Sequence, residues 1–209
     1  MRIWVRLAAL GIAAIALAAC GSGRRSSVAA LQPPPPPGNA SELAAALRSG
    51  GYVLFVRHAA TDRAADNARV NLDDCSTQRA LSAAGLAQAH AIAAGLKRLR
   101  IPIGEVRASP YCRTADTARL AFGYMLLDND LRPLRDPNAG AHLAAVRRLL
   151  ATAPLPGKNT ALVGHADTFQ KVAGFDLGDA EIAVIRPNQK TGTWTLLGRI
   201  GPEQWAAIR

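Results

Sequence analysis

The stretch Gly50-Gly51-Tyr52-Val53-Leu54-Phe55-Val56-Arg57-His58-Ala59 decides the fold. Its five apolar residues, Tyr52 to Val56, follow two glycines and read as a strand. The strand ends by presenting an arginine and a histidine side by side. A second isolated apolar run, Thr160 to Val163, ends the same way in Gly164-His165. Between them, Ser109-Pro110-Tyr111-Cys112-Arg113-Thr114 opens a helical pattern. Two strand-end histidines and two arginines brought together suit a phosphate group.

Outward from this stretch, strands and helices alternate. A short helix over 41–49, with Ser41 as N-cap, precedes the first strand. Residues 62–80 carry mixed charges and Asn71-Leu72-Asp73-Asp74, and read as loop. From Leu81-Ser82 a helix runs to about Arg100, capped by Ser82, with Leu86, Ala89, Ile92, Ala93, Leu96 and Leu99 at helical spacing. Pro102 stops it. A strand at 105–108 and a helix at 111–122 follow, with a short strand at 125–127. A helix at 138–152 turns Leu143, Val146, Leu149 and Leu150 inward. After the strand at 160–163 comes a helix at 167–173, and 182–185 pairs with 193–198 as late strands. This alternation predicts an α/β fold, a three-layer sandwich with a mostly parallel central sheet flanked by helices. Ligands in such folds sit outside the carboxyl ends of the strands, where both histidines fall.

The first residues form an address rather than a fold. Arg2 and Arg6 make a basic start, and Leu7 to Ala19 is apolar but short for a membrane span. The run ends in Leu17-Ala18-Ala19-Cys20-Gly21, which resembles a bacterial lipobox; the other reading is an ordinary secretory signal with a chance cysteine. The resemblance implies a lipoprotein signal peptide over 1–19, cleavage before Cys20, and lipidation of Cys20 with fatty acyl chains such as palmitate. Several chains anchor stably where one does not. Gly21 after the cysteine points to the outer membrane, facing the periplasm. Residues 20–40 are a Pro-rich tether, in which Pro33 to Pro37 hold polyproline II at roughly 3.1 Å per residue. Residues 41–209 then make one domain.

Composition bounds the partners. The formal charge is +10, and losing Arg2 and Arg6 with the leader takes it to +8. A basic balance suits nucleic acid, but an exported lipoprotein meets little of it, so anionic headgroups or phosphorylated substrates fit better. A merely solvated basic surface is the equal alternative. With Cys20 assigned to lipid, Cys75 and Cys112 are an even pair in an oxidising compartment, either bridged or two free thiols. A bridge would pin the loop 62–80 beside Arg113. The sequence carries no zinc cysteine cluster, phosphate-binding Walker loop or glycine-rich dinucleotide fingerprint, and no cofactor is called for.

Four segments in order carry a family resemblance: Val56-Arg57-His58-Ala59-Ala60-Thr61, Leu81-Ser82 with Gly85, Ala108-Ser109-Pro110 with Arg113-Thr114 and Thr117-Ala118, and Val163-Gly164-His165. Together they resemble the histidine phosphatase superfamily, the phosphoglycerate-mutase-like fold, over about residues 50–200. Gln78-Arg79 before Leu81-Ser82, with Cys75 upstream, is similar to small exported bacterial members, some acting on sugar phosphates of lipopolysaccharide. The resemblance implies a metal-independent phosphomonoesterase with a phosphohistidine intermediate.

In that chemistry His58 is the nucleophile, and a neutral imidazole attacks phosphorus in line. Arg57 and Arg113 are permanently charged forks for the phosphoryl oxygens. His165 adds a further donor and Thr61 a hydroxyl. The leaving alkoxide takes a proton from an acid. Asp167 is the first candidate, with a helix N-cap as its structural alternative; Asp62 is second and Glu181 a distant third. Asp128, Asp130 and Asp136 lie where many mutase-like members carry a glutamate, but none matches that pattern. Arg63, Arg69, Arg79, Arg132 and Arg135, in the segments 62–80 and 123–140, shape the pocket mouth for an anionic substrate. His90 and His142 read as structural or surface histidines. The competing functions are a phosphoglycerate-mutase-type phosphotransferase, a metal hydrolase using His58, His165 and Asp167, and a non-catalytic envelope protein that binds phosphorylated ligands.

Overall fold

The structure, a computed structural model, describes residues 39–62, 66–67, 69–134 and 139–209. The leader, Cys20, the proline run and the loop positions Arg63, Arg135 and Asp136 lie outside the described residues. None of the described helices is long and apolar enough to cross a membrane.

Six strands form one sheet in the order β3-β2-β4-β1-β5-β6, built from β1 (Val53–Arg57), β2 (Ile103–Ala108), β3 (Leu126–Leu127), β4 (Asn159–Gly164), β5 (Ile182–Asn188) and β6 (Thr193–Ile200). The pairs β3/β2, β2/β4 and β4/β1 are parallel, and β5 runs antiparallel to both of its neighbours. The expected mostly parallel sheet is therefore present, with the late pair 182–188 and 193–200 as its antiparallel edge.

Burial explains why the strands read as continuous apolar runs. Side chains alternate across a strand. Leu54, Val56, Val106, Ala161, Val163, Ile182 and Val184 face one core, shared with Leu43, Leu47, Ile92, Leu96 and Trp205. Val53, Phe55, Leu162, Ala183 and Ile185 face the other, shared with Val146, Leu150, Phe169 and Phe175. The first core belongs to α1 (Ala40–Arg48), α2 (Ala83–Arg98) and α3 (Cys112–Phe122), and the second to α4 (Ala139–Ala151) and α5 (Ala166–Ala173). Helices on both faces of the sheet make the three layers.

Local chemistry sets the helix ends, with two departures from expectation. Asn39 caps α1, its side chain accepting from the Ser41 backbone N–H, so Ser41 is not the cap. An Asx side chain two residues earlier takes the Ser41 N–H, one of the orphan donors of the first turn. Ser82 caps α2 as expected, accepting from Gly85 N–H at 3.1 Å. Leu86, expected to face inward, is 44% exposed. Its place is taken by Gly85, where a Cβ would collide with the Ala60 carbonyl oxygen. The helix start lies so close to the β1 exit that only a hydrogen fits there. The loop 62–80 contains a short 3-10 turn at Cys75–Thr77, and α3 ends at Gly123 in the left-handed conformation.

Candidate active site

Strand order assembles the site. β4 lies between β1 and β2, and Arg57 is in register with Gly164. His58 N–H donates to the Gly164 carbonyl at 3.1 Å, and Ser109 N–H donates to the Val163 carbonyl at 3.0 Å. Three strand ends thus deliver His58, His165 and the Ser109–Arg113 turn to one spot. Pairing within the sheet replaces chain flexibility, so the groups are held by backbone that cannot drift.

A pocket of about 220 Å³ opens there, lined by Arg57, His58, Arg79, Arg113, His165, Ala166 and Asp167. His58 is 6% exposed and His165 3%. His58 Nδ1 lies 2.9 Å from the carbonyl oxygen of its neighbour Ala59. A carbonyl can only accept, so Nδ1 carries the proton and the Nε2 lone pair is free. Burial holds the His58 pKa down to about 3, with the positive charges of Arg113, Arg57 and Arg79 acting in the same direction and the Ala59 hydrogen bond opposing them. The ring is a neutral base with a fixed tautomer, the state a nucleophilic imidazole needs.

The arginines differ in what holds them. Arg57 donates from Nη1 to the Leu177 carbonyl at 2.7 Å and pairs through Nη2 with Asp179 at 2.8 Å. Arg113 is 1% exposed, donating from Nη1 to Asp66 Oδ1 at 3.2 Å, with Nη2 3.4 Å from His165 Nδ1. A guanidinium N–H can only donate, so His165 Nδ1 accepts and its Nε2, 2.9 Å from Ser109 Oγ, donates to that hydroxyl. Tyr111 packs edge-on against His165 at 5.2 Å and under the Arg113 guanidinium at 4.6 Å. Thr117 Oγ1 donates to the Arg113 carbonyl at 2.7 Å and accepts from Ala59 N–H at 3.0 Å, joining α3 to the segment that carries His58. Thr114 Oγ1 anchors the turn through the Ser109 and Tyr111 carbonyls at 2.7 and 2.6 Å.

Of the carboxyl groups weighed as proton donors, Asp167 lines the pocket. It is not the helix cap: that position is His165. Its Oδ1 accepts from Thr168 N–H at 2.8 Å and its Oδ2 from Leu134 N–H at 3.0 Å. Oδ1 also lies 3.4 Å from Thr168 Oγ1, so Oδ2 is the less engaged oxygen. Asp62 is exposed, and Glu181 is spent on Gly178 N–H at 2.8 Å and Arg199 at 3.3 Å. Asp128 pairs with Arg107 at 3.0 Å, and Asp130 approaches the buried His142 at 3.9 Å. Thr61, expected to donate a hydroxyl to phosphate, forms an isolated antiparallel bridge with Leu81 and is not among the lining residues. Among the described residues no group of three or more His, Cys, Asp or Glu side chains converges as a metal site would.

Two features escape sequence reading. Asp66 is 5% exposed in its side chain and sits between Arg113 and Arg79, accepting the Arg79 backbone N–H at 3.0 Å. Nothing in its charge-mixed surroundings distinguishes it from a surface aspartate. Gln78, named only as part of a motif, is 8% exposed; its Oε1 accepts from Cys112 N–H and its Nε2 donates to the Asn71 carbonyl, both at 2.9 Å. Cys75 and Cys112 are joined by a disulfide, Cα atoms 5.7 Å apart. The loop is therefore stitched to the start of α3 beside Arg113.

The family model of the histidine phosphatase superfamily (branch 1) matches residues 53–134. The matched segment holds His58, Arg57, Arg79 and Arg113 but not His165. Among solved structures, the fold is similar to the protein histidine phosphatase SixA complexed with tungstate (17% identity, TM-score 0.56, covering 73% of this chain and 98% of that one). It is likewise similar to a putative phosphohistidine phosphatase SixA from Agrobacterium tumefaciens (20%, 0.50, 73% and 98%). A third is mycobacterial glucosyl-3-phosphoglycerate phosphatase (18%, 0.51, 71% and 97%). No curated protein matches the sequence.

Proposed function

We propose that this chain, which carries the histidine phosphatase fold and matches that superfamily over residues 53–134, is a metal-independent phosphomonoesterase working through a phosphohistidine on His58. The observation that carries the proposal is the buried, neutral His58 ring, its proton held on Nδ1 by the Ala59 carbonyl, in a pocket lined by three arginines.

The steps follow from these groups. A phosphomonoester enters with its oxygens toward the guanidinium groups of Arg57 and Arg113, and His165, bonded to Arg113 and Ser109, orients that second fork. His58 Nε2 forms a bond to phosphorus as the bond to the ester oxygen breaks. The leaving alkoxide takes a proton from the Asp167 carboxyl. Water then attacks the phosphohistidine, its proton returns to Asp167, and phosphate departs with the His58 lone pair restored. The charge spread over three phosphoryl oxygens is met by fixed guanidinium groups, so catalysis is mostly positioning and electrostatics.

A pocket of about 220 Å³ accommodates a phosphate with a small group attached, which favours a phosphorylated small molecule or an envelope sugar phosphate as substrate. The lipobox-like Leu17-Ala18-Ala19-Cys20 supports a reading in which the enzyme is lipid-anchored, faces the periplasm and meets its substrate in the cell envelope. Metabolic labelling with a fatty acid tests the anchor: the wild type takes up label and Cys20→Ser accumulates as unlabelled precursor. An unlabelled wild type removes the anchor from the proposal.

The catalytic test uses the full-length protein in detergent with EDTA present and an aryl phosphate as substrate. Wild type hydrolyses it, and His58→Ala is slower by about a thousandfold or more. Rapid quenching traps an acid-labile, alkali-stable phosphoryl adduct in the wild type alone. Activity that disappears with EDTA, or survives in His58→Ala, rejects the mechanism. A folded wild type that binds phosphate without hydrolysing esters points instead to a binding protein.

A further inference from the structure

The three arginines lining the pocket are not equally committed. Both terminal nitrogens of Arg57 are held by protein, one by the Leu177 carbonyl and one by Asp179. Those of Arg113 face Asp66 and His165. Arg79 is held at the opposite edge of its guanidinium: its backbone N–H donates to Asp66 Oδ1 at 3.0 Å, and its Nε lies 3.6 Å from the same oxygen. Its two Nη groups have no hydrogen-bond partner among the described residues, although the side chain is only 29% exposed and lines the pocket.

The backbone beneath Arg79 is braced rather than loose. One residue back, buried Gln78 bonds to the first amide of α3 and to the Asn71 carbonyl. Three residues further back, Cys75 is covalently joined to Cys112. Asp66 ties the same loop to Arg113. Arg79 therefore stands on a segment locked to the helix that carries Arg113. It is close enough that its charge helps to hold His58 in the neutral form. A long side chain held at its Nε edge with its fork open loses little freedom when an anion arrives, and a guanidinium fork matches two phosphate oxygens.

We infer that Arg79 is a third phosphate-contacting arginine of this site, donating through its Nη groups to the oxygens of the bound phosphoryl group, and that the disulfide-closed loop exists to present it. The inference rests on the proposed phosphate site. It adds a contact from the loop between β1 and α2, where the sequence suggested only a mouth-shaping charge.

The test is calorimetric titration of inorganic phosphate into the full-length protein in detergent, for wild type, Arg79→Met, Arg79→Lys and Arg69→Met. Arg69 is an exposed arginine of the same loop that does not line the pocket, so its variant controls for net charge. Arg79→Met binds phosphate about tenfold to a hundredfold more weakly, the loss expected for charge-assisted hydrogen bonds. Arg79→Lys, which keeps the charge without the fork, lies between, and Arg69→Met stays within about twofold of wild type. Wild-type affinity in Arg79→Met, or in Arg79→Lys should the methionine variant fail to fold, overturns the inference. So does an equal loss in Arg69→Met. Hydrolysis of an aryl phosphate is measured on the same samples: loss of phosphate binding in Arg79→Met without any wild-type hydrolysis upholds Arg79 and rejects the phosphatase, whereas wild-type hydrolysis with unchanged phosphate binding in Arg79→Met does the reverse. A wild type that binds no phosphate overturns both.

Discussion

His58 and His165 meet edge to face at the carboxyl ends of adjacent parallel strands, ring centroids 5.5 Å apart and planes at 67°. They are 107 positions apart in the chain, and their juxtaposition is produced by the β1/β4 register, in which Arg57 lies opposite Gly164. A one-residue slip would turn every side chain of β1 to the other face. His58 is therefore placed by the same pairing that fills both cores.

The His58 pKa carries a stability consequence. It is about 3 in the folded protein, against about 6.5 for an unperturbed histidine. Between these values the unfolded chain holds a proton that the native site refuses. Stability from this group is thus complete above about pH 6.5 and falls as pH drops toward 3. Thermal unfolding of wild type and His58→Gln should diverge between pH 7 and 5, with the wild type losing more. Parallel curves would show that the ring is not held neutral.

Asp167→Asn separates an acid from a strut. If Asp167 protonates the leaving group, the variant loses about a hundredfold or more on an alkyl phosphate and far less on an aryl phosphate, whose leaving oxygen needs no proton. Equal losses on both substrates would assign Asp167 to its bonds with Leu134 and Thr168 instead.

Opening the disulfide should act on both stability and substrate binding. Cys75 and Cys112 are 37 positions apart, a loop whose closure is worth about 3–4 kcal/mol in the chain-entropy account. Cys75→Ser with Cys112→Ser should lower the unfolding midpoint. It should also raise KM more than it lowers kcat, because Gln78, Arg79 and Asp66 lose their brace while His58 keeps its own. An unchanged KM would mean that the bridge serves stability alone.

Gly85→Ala tests the packing of α2 on the β1 exit. The added Cβ would collide with the Ala60 carbonyl, two residues beyond His58. Overpacking of this kind costs about 1–3 kcal/mol. Activity should fall further than stability predicts at a temperature where the variant is still folded. A silent substitution would mean that the helix start can shift without moving His58.

Much of this protein is legible one segment at a time. Val53 to Val56 and Ala161 to Val163 are apolar at every position because they contribute to cores on both faces, so α/β layering follows from composition alone. Ser82 caps its helix because an N-cap is a local event between a side chain and amides two or three residues on. The strand-end positions of His58 and His165 are visible for the same reason: a strand shows where it stops. Leu86 misled because helical spacing does not reveal that α2 meets the β1 exit through Gly85, which turns the neighbouring Leu86 toward solvent.

Only the tertiary structure decided which charges work together. Asp66 and Arg113 are 47 positions apart and Arg57 and Asp179 still farther, and each pair meets through a loop whose path no periodicity encodes. Sequence determined the elements, their burial and the types of group at the strand ends, because those depend on neighbours along the chain. The choice of Asp66 as the buried counter-charge and of Arg79 as the open fork depends on neighbours across space, which the order of strands in the sheet brings together.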